Sequence, residues 1–208
     1  MSIYKDRDGG LGGGTDSAVL YGISPDGKID RHFENSSDPA SVPSTIMCIV
    51  EDSRGTMWVG SYVHGLAKVD KQTGKCRYVP LKNLPGSSIY DITEDAYGNL
   101  WIATMGDGLF CMEIDSAKIV DYQTGDYGYL INNWITCLLR SRKELLCMAT
   151  YDGLVCLDLE TRKPAWDFDY SILTKHVIYS LYEDARGVIW IGAAPGLLCY
   201  NPYNKELA

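Results

Sequence analysis

Apolar residues along this chain alternate with polar ones, or run unbroken over five to seven positions, and then stop at Gly, Asp, Asn or Ser. No segment keeps the three-to-four spacing of a helix, so the pattern predicts short β-strands joined by turns from end to end. The stretch from Ile89 is representative. Ile89–Thr93 reads as a strand, Glu94–Asn99 as a turn, Leu100–Thr104 as a second strand, Leu109–Ile114 as a third and Lys118–Tyr122 as a fourth. The predicted unit is a four-stranded antiparallel meander.

This unit recurs. Ile46–Gly60, Ile89–Ala103 and Ile178–Gly192 share one internal spacing, a decayed copy runs from Ile135 through Cys147, and another opens the chain from Asp6 through Gly9 to Gly12. Anchored on the tryptophan position, the copies fall at residues 12, 58, 101, 147 and 190. A regular pitch of this size marks an array of supersecondary units. Approximate repeat units are 1–36, 45–82, 88–123, 134–169 and 177–208, within a single region covering residues 1–208.

Trp58, Trp101 and Trp190 are flanked by apolar residues on both sides, so each sheet needs cover on both faces. Radial repetition supplies that cover, and the expected fold is an all-β β-propeller of four-stranded antiparallel blades. The three indoles are then blade-to-blade packing residues. Gly12 and Cys147 remove the aromatic from two units, where looser packing is expected, on the order of a few kcal/mol if no other side chain fills the space. Asp52, Asp95 and Asp184 stand three residues before Gly55, Gly98 and Gly187, a spacing suited to an Asx-type turn closed by a residue of unusual dihedrals. The last unit ends at Asn201–Ala208 without a clear fourth strand.

Charge narrows the partners. With 27 acidic against 19 basic residues, a formal net charge of −8 and no Lys/Arg cluster, the chain does not suit nucleic acid. No apolar run approaches the roughly 18 residues that span a bilayer, and no membrane contact by this segment is expected. Nor does the start show the basic and then apolar segments of a secretory signal. Because residues 2–5 already read as an innermost strand, the chain is expected to be a piece of something longer. Of the seven cysteines, six sit in apolar strand-like runs and none forms a C-x-x-C pair. Buried free thiols are the main expectation, one or more disulfides the alternative, and neither a metal nor a cofactor site is expected.

The repeated pattern Ile-x-x-Ile-x-Glu-Asp-x-x-Gly-x-Leu-Trp-Ile-Gly-Thr-x-x-Gly-Leu resembles the repeat of the two-component regulator propellers. The match is clearest at Ile46–Leu66, Ile89–Leu109 and Ile178–Leu197, weaker at Ile135–Leu154 and weakest over the first 20 residues. The resemblance implies the periplasmic sensor region of a hybrid two-component protein of the kind that gut Bacteroidetes use to detect polysaccharide fragments. In that family two seven-bladed propellers precede a further β-domain, a membrane span and a histidine kinase. This sequence shows no phosphoacceptor-histidine context, ATP-binding loop or receiver pattern. Its five units could close as a five-bladed ring or form an incomplete part of a seven-bladed one. The partners implied are an oligosaccharide ligand and other domains of the parent sensor, or a second copy of the chain.

In a propeller meander the loop from second to third strand and the loop entering the next innermost strand emerge on one face. The first class contributes Tyr62, Val63 and His64, Met105 and Asp107, Tyr151 and Asp152, and Ala194 and Pro195; the second spans 35–44, 83–88, 129–134 and 174–176. Variable residues on a repeated scaffold are where function is grafted. Trp134 stands where other copies have Thr45, Ser88 and Val177, so packing does not require an indole there. With Tyr129, Asn133, Tyr151 and Asp152 it suits a sugar ring, which offers an apolar face for stacking and hydroxyls for hydrogen bonds. The plainer reading is that Trp134 covers the unit lacking its usual tryptophan. His64 and His176 raise a third reading, since the streptogramin lyases, also propellers, use channel-mouth histidine and glutamate with magnesium. No His–Glu convergence, serine triad or carboxylate pair is visible, and the favoured reading is non-catalytic recognition, with a structural or protein-interaction propeller as the alternative.

Overall fold

The computed structural model describes residues 2–81, 86–124, 130–165, 176–194, 196–201, 203–204 and 206–208. The chain divides into two compact units, Met1–Ile92 and Thr93–Ala208. Among the described residues every regular element is a strand and no helix occurs, hence none long and apolar enough to cross a membrane.

The first unit holds a sheet of β1 (Ser2–Lys5), β2 (Leu11–Gly14), β3 (Val19–Ile23) and β4 (Ile29–Glu34), and a second of β5 (Ile46–Glu51), β6 (Met57–Ser61), β7 (Leu66–Val69) and β8 (Cys76–Val79). A third sheet is formed by β9 (Ile89–Glu94), in which the division between the units falls, β10 (Asn99–Thr104), β11 (Leu109–Glu113) and β12 (Ile119–Tyr122). The second unit continues with β13 (Ile135–Arg140), β14 (Leu145–Thr150) and β15 (Gly153–Asp158), then β16 (Ile178–Glu183), β17 (Ile189–Ala193), β18 (Gly196–Asn201) and β19 (Glu206–Leu207). Each sheet is a simple antiparallel meander in chain order. The last sheet does have a fourth strand, since Tyr200 pairs with Leu207 and Asn201 with Glu206. Its brevity hid it in the sequence. The fourth sheet has three strands among the described residues.

The Asp-to-Gly turns lock the first two strands of a unit and also hold the indole. Asp52 accepts the backbone N–H groups of Arg54 and Thr56 on Oδ1 and the Trp58 Nε1–H, at 2.8 Å, on Oδ2. Asp95 does the same for Tyr97, Asn99 and Trp101, and Asp184 for Arg186, Val188 and Trp190. Gly55, Gly98 and Gly187 close these turns at φ of 80°, 78° and 79°, where a side chain is strained.

In both irregular units another group takes the place of the missing indole. At Gly12 the Tyr4 ring occupies the space, so close that a Cβ there would lie 1.7 Å from it, and the phenol reaches Met57 Sδ at 3.1 Å. With no indole to hold, Asp6 accepts from Gly10 N and from Arg31 Nη2 at 3.2 Å. In the fourth unit Cys147 is joined to Cys156, its partner across β14 and β15, by a disulfide. For these two residues the free-thiol expectation is corrected; Cys48, Cys76, Cys111 and Cys199 are free thiols. Ser141 stands at the aspartate register and accepts from Leu145 N, while Glu144 stands at the glycine register with φ 54°.

Packing within each unit follows the two-residue period of a strand. In β14, Leu146 and Met148 join Trp101, Cys111 and Tyr122 on one side, whereas Cys147 and Ala149 join Ile189, Ile191 and Tyr200 on the other. In the first unit Leu20, Ile46, Met57, Val59 and Ala67 form the corresponding core, with Tyr4 and Phe33 against it. The glutamates preceding the turn aspartates tie neighbouring sheets. Glu51 accepts from Arg7 N and pairs with Lys71, and Glu183 accepts from Arg142 N at 2.9 Å, while Arg142 Nη1 reaches the Ala185 carbonyl. This Glu-to-turn bond is invisible in the sequence because its partner lies some 40 residues upstream.

Candidate functional site

Three loops of the second unit converge at the ends of their strands. The β10–β11 turn carries Met105, Gly106 and Asp107, the segment entering β13 carries Asn132, Asn133 and Trp134, and the β14–β15 turn carries Tyr151 and Asp152. Backbone bonds set this arrangement. Met105 bridges Trp134, the Gly106 and Gly108 amides both donate to the Asn133 carbonyl, and Tyr151 N donates to the Trp134 carbonyl at 3.2 Å. Tyr62 N to Thr45 O, at 3.1 Å, and Ala194 N to Val177 O, at 2.9 Å, repeat that last bond in other units. The indole at position 134 therefore occupies a register at which the other units place Thr45 and Val177.

Trp134 is 42% exposed and belongs to neither buried cluster of this unit. Its ring lies tilted against Tyr151, centroids 5.2 Å apart, with its edge over Gly106, where a Cβ would stand 3.1 Å from Nε1. Beside the aromatic pair, Asn132 Nδ2 donates to Asp152 Oδ2 at 2.6 Å, and Asn132 Oδ1 accepts from Trp134 N at 2.7 Å. Asn133 turns its side-chain oxygen to Thr124 N instead. Asp107 donates its backbone N–H to Thr104 Oγ1. Asn132 lies inside the 129–134 loop that the sequence points to but is not named there individually; an Asn two residues before an aromatic at a strand entry is the Asx-turn signal that marks it. Tyr129 lies outside the described residues, as do Pro195, residues 83–85 and residues 174–175.

The other candidates fall in two places. His176 is half-buried just before β16 in the second unit. Tyr62 and His64 belong to the first unit, where a cleft of about 570 Å³ is lined by Asn35, Ser36, Ser41, Val63, His64 and Tyr78. His64 Nδ1 lies 3.4 Å from Ser44 Oγ, and its backbone N–H donates to Ser61 Oγ. The Tyr62 carbonyl accepts the Ser88 hydroxyl. Burial pushes the Tyr78 phenol up to about 12, and it donates to the Ser41 carbonyl. Among the described residues no three His, Cys, Asp or Glu side chains come together as a metal cage.

Comparison with known proteins bears on the scaffold that carries these loops. The family described as Two component regulator propeller matches residues 41–63, 83–106 and 172–194. No curated protein sequence matches significantly. Among solved structures, the extracellular domains of two proteins assigned to hybrid two component systems of B. thetaiotaomicron overlay all of this chain, at 18% identity with a TM-score of 0.77 and at 20% with 0.80. Virginiamycin B lyase from Staphylococcus aureus overlays it as well, at 16% identity and 0.75. The chain spans 29% and 30% of the two sensor domains and 68% of the lyase. At these identities the overlays establish the fold, which is that of a β-propeller.

Proposed function

Because this chain is built on repeats of the two component regulator propeller family, we propose that it is a non-catalytic recognition segment of an extracytoplasmic sensor, and that the Trp134 loops bind a glycan-derived ligand. The observation that carries the reading is the exposed indole tilted against Tyr151, with the Asp152 carboxylate and the Asn132 amide beside it. A pyranose presents an apolar C–H face to such a ring and hydroxyls to the acceptors at its rim. The inter-sheet cores are filled without Trp134, which leaves its side chain available to a ligand. Binding would signal by favouring one arrangement of the sensor over another, a rearrangement passed to the parent sensor's other domains. Tyr62 and His64 belong to the same class of loop in the first unit and would offer a separate contact surface there. Thr45 and Val177, at the Trp134 register of other units, offer no comparable aromatic face.

Calorimetric titration of the chain with a panel of oligosaccharides tests the proposal. A ligand is expected that binds with micromolar-range affinity, weakens by about tenfold or more on Trp134→Ala and is recovered chemically unchanged. Unaltered affinity in Trp134→Ala removes the stacking role, and cleavage of the ligand removes the non-catalytic one.

A further inference from the structure

The loops that carry Trp134 bear charge of one sign. Among the described residues at 105–108, 130–134 and 151–152, the charged side chains are Asp107 and Asp152, and none is Lys or Arg. The whole chain leans the same way, with a formal net charge of −8. Asp152 is exposed, and Asp107 is half-buried one residue beyond the Gly106 on which the indole edge lies.

Asp152 directly follows Tyr151, so one turn carries both a carboxylate and a wall of the aromatic pair. Asn132 donates to Asp152 Oδ2 at 2.6 Å, and its own oxygen accepts from Trp134 N at 2.7 Å. A single asparagine thus ties the carboxylate to the backbone of the indole residue. A bond from a neutral amide leaves the negative charge in place, whereas a bond from Lys or Arg would have cancelled it. Beside two aromatic rings, such a charge meets the needs of an ammonium group. The ring faces attract a cation through their quadrupole, and the carboxylate accepts its N–H groups. A uronate or sulfate would meet the opposite, brought against Asp152 and Asp107 with no Lys or Arg on these described loop residues to receive it.

We propose that this site takes glycans bearing a protonated amine, that is amino sugars with a free ammonium group, in preference to acetylated or acidic ones. Asp152 is the ammonium acceptor, and the Trp134–Tyr151 pair is the stacking surface. The proposal rests on the reading of the Trp134 loops as a glycan site and adds the charge class of the ligand. A neutral hydroxyl can also donate to Asp152, but only an ammonium makes use of its charge.

Calorimetry on the full 208-residue chain tests it at about pH 6, where carboxylates are ionised and amines protonated. The probes are the β-1,4-linked trimers of glucosamine, N-acetylglucosamine and glucuronic acid, with spermidine as the control for charge alone. The glucosamine trimer is expected to bind about fivefold or more tighter than the acetylated one, with the glucuronate weakest and the advantage shrinking as salt is raised. Asp152→Asn keeps the side-chain shape and removes the charge, and it should bring the ratio between the glucosamine and acetylated trimers close to one. Trp134→Ala should weaken both, and unchanged circular dichroism verifies that the variants fold. Equal or tighter binding of the acetylated or glucuronate trimer overturns the charge class and leaves the glycan reading standing. So does a ratio untouched by Asp152→Asn, or failure of the glucosamine trimer where another oligosaccharide binds through Trp134. Spermidine binding as tightly as the glucosamine trimer overturns the proposal as well, because the carboxylates would then be collecting any cation. Binding of no oligosaccharide, or binding indifferent to Trp134→Ala, removes the glycan reading and this proposal with it.

Discussion

Cys147 and Cys156 are bonded to each other at the register where Trp101 faces Cys111 and Trp190 faces Cys199. One substitution in the repeat, cysteine for tryptophan, set two thiols opposite each other on neighbouring strands. A covalent link then fills a place that elsewhere takes an indole. Both residues are fully buried in the core shared with Ile189 and Ile191.

Removing the link with Cys147→Ala and Cys156→Ala together is expected to destabilise the chain by about 2–3 kcal/mol, from the entropy that a short closed loop withholds from the unfolded state. Urea unfolding of the double variant, and of the wild type with and without reductant, measures this. Equal stability of all three would show that the link contributes nothing.

Asp95 gathers two backbone amides, the Asn99 amide group and the Trp101 indole N–H on one buried carboxylate. Asp95→Ala strands those donors, and a loss of about 3 kcal/mol or more is expected. Asp184→Ala, at a turn more open to water, should cost less. Denaturant midpoints of the two variants give the order directly.

Acid sensitivity follows from the depressed carboxyls. The Arg186 guanidinium holds Asp184 well below the usual carboxylate range. For Asp6 burial pushes upward, but the bonds from Arg31 and Gly10 outweigh it and the net direction is down. Backbone amides lower Asp70 and Asp158, led by Thr73 and Thr161 respectively. A group lowered on folding adds stability above its unfolded value, near 3.9, and gives it up as pH falls toward the folded value. The protein should hold its stability down to about pH 4 and lose it below. Arg31→Gln and Arg186→Gln should each move the acid-unfolding midpoint to higher pH, read by tryptophan fluorescence.

Glu144 is held at φ 54° where the four other units have glycine. Glu144→Gly removes that strain, worth about 1–2 kcal/mol, and gives up an exposed ion pair with Arg140 worth at most about 1 kcal/mol. A net gain of up to about 1 kcal/mol is expected. A thermal midpoint that falls in the variant would mean that the Arg140 pair stabilises the turn by more than the strained backbone costs it.

The repeat, the strand content and the turn positions were legible because each depends on residues within about a dozen positions of one another. Asp52 and Gly55 announce their turn wherever the chain is placed. The candidate loops could likewise be located by register, since Trp134 departs from Thr45 and Val177 in the alignment of the chain with itself. Its neighbour Asn132 does not stand out in that way, because an asparagine in a polar segment carries no periodic signal.

Sequence alone specifies an all-β array of repeated sheets with apolar flanks, a formal net charge of −8 and an anomalous tryptophan in one loop. Only the tertiary structure decided what fills Gly12, that Cys147 would find Cys156, and that Glu51 and Glu183 would reach back to the preceding sheet. The division has a physical origin. Alternation and turn chemistry are properties of a short stretch of backbone, whereas space-filling and exposure depend on which surfaces meet, and near-identical repeats carry the same local code whether or not a neighbour covers them.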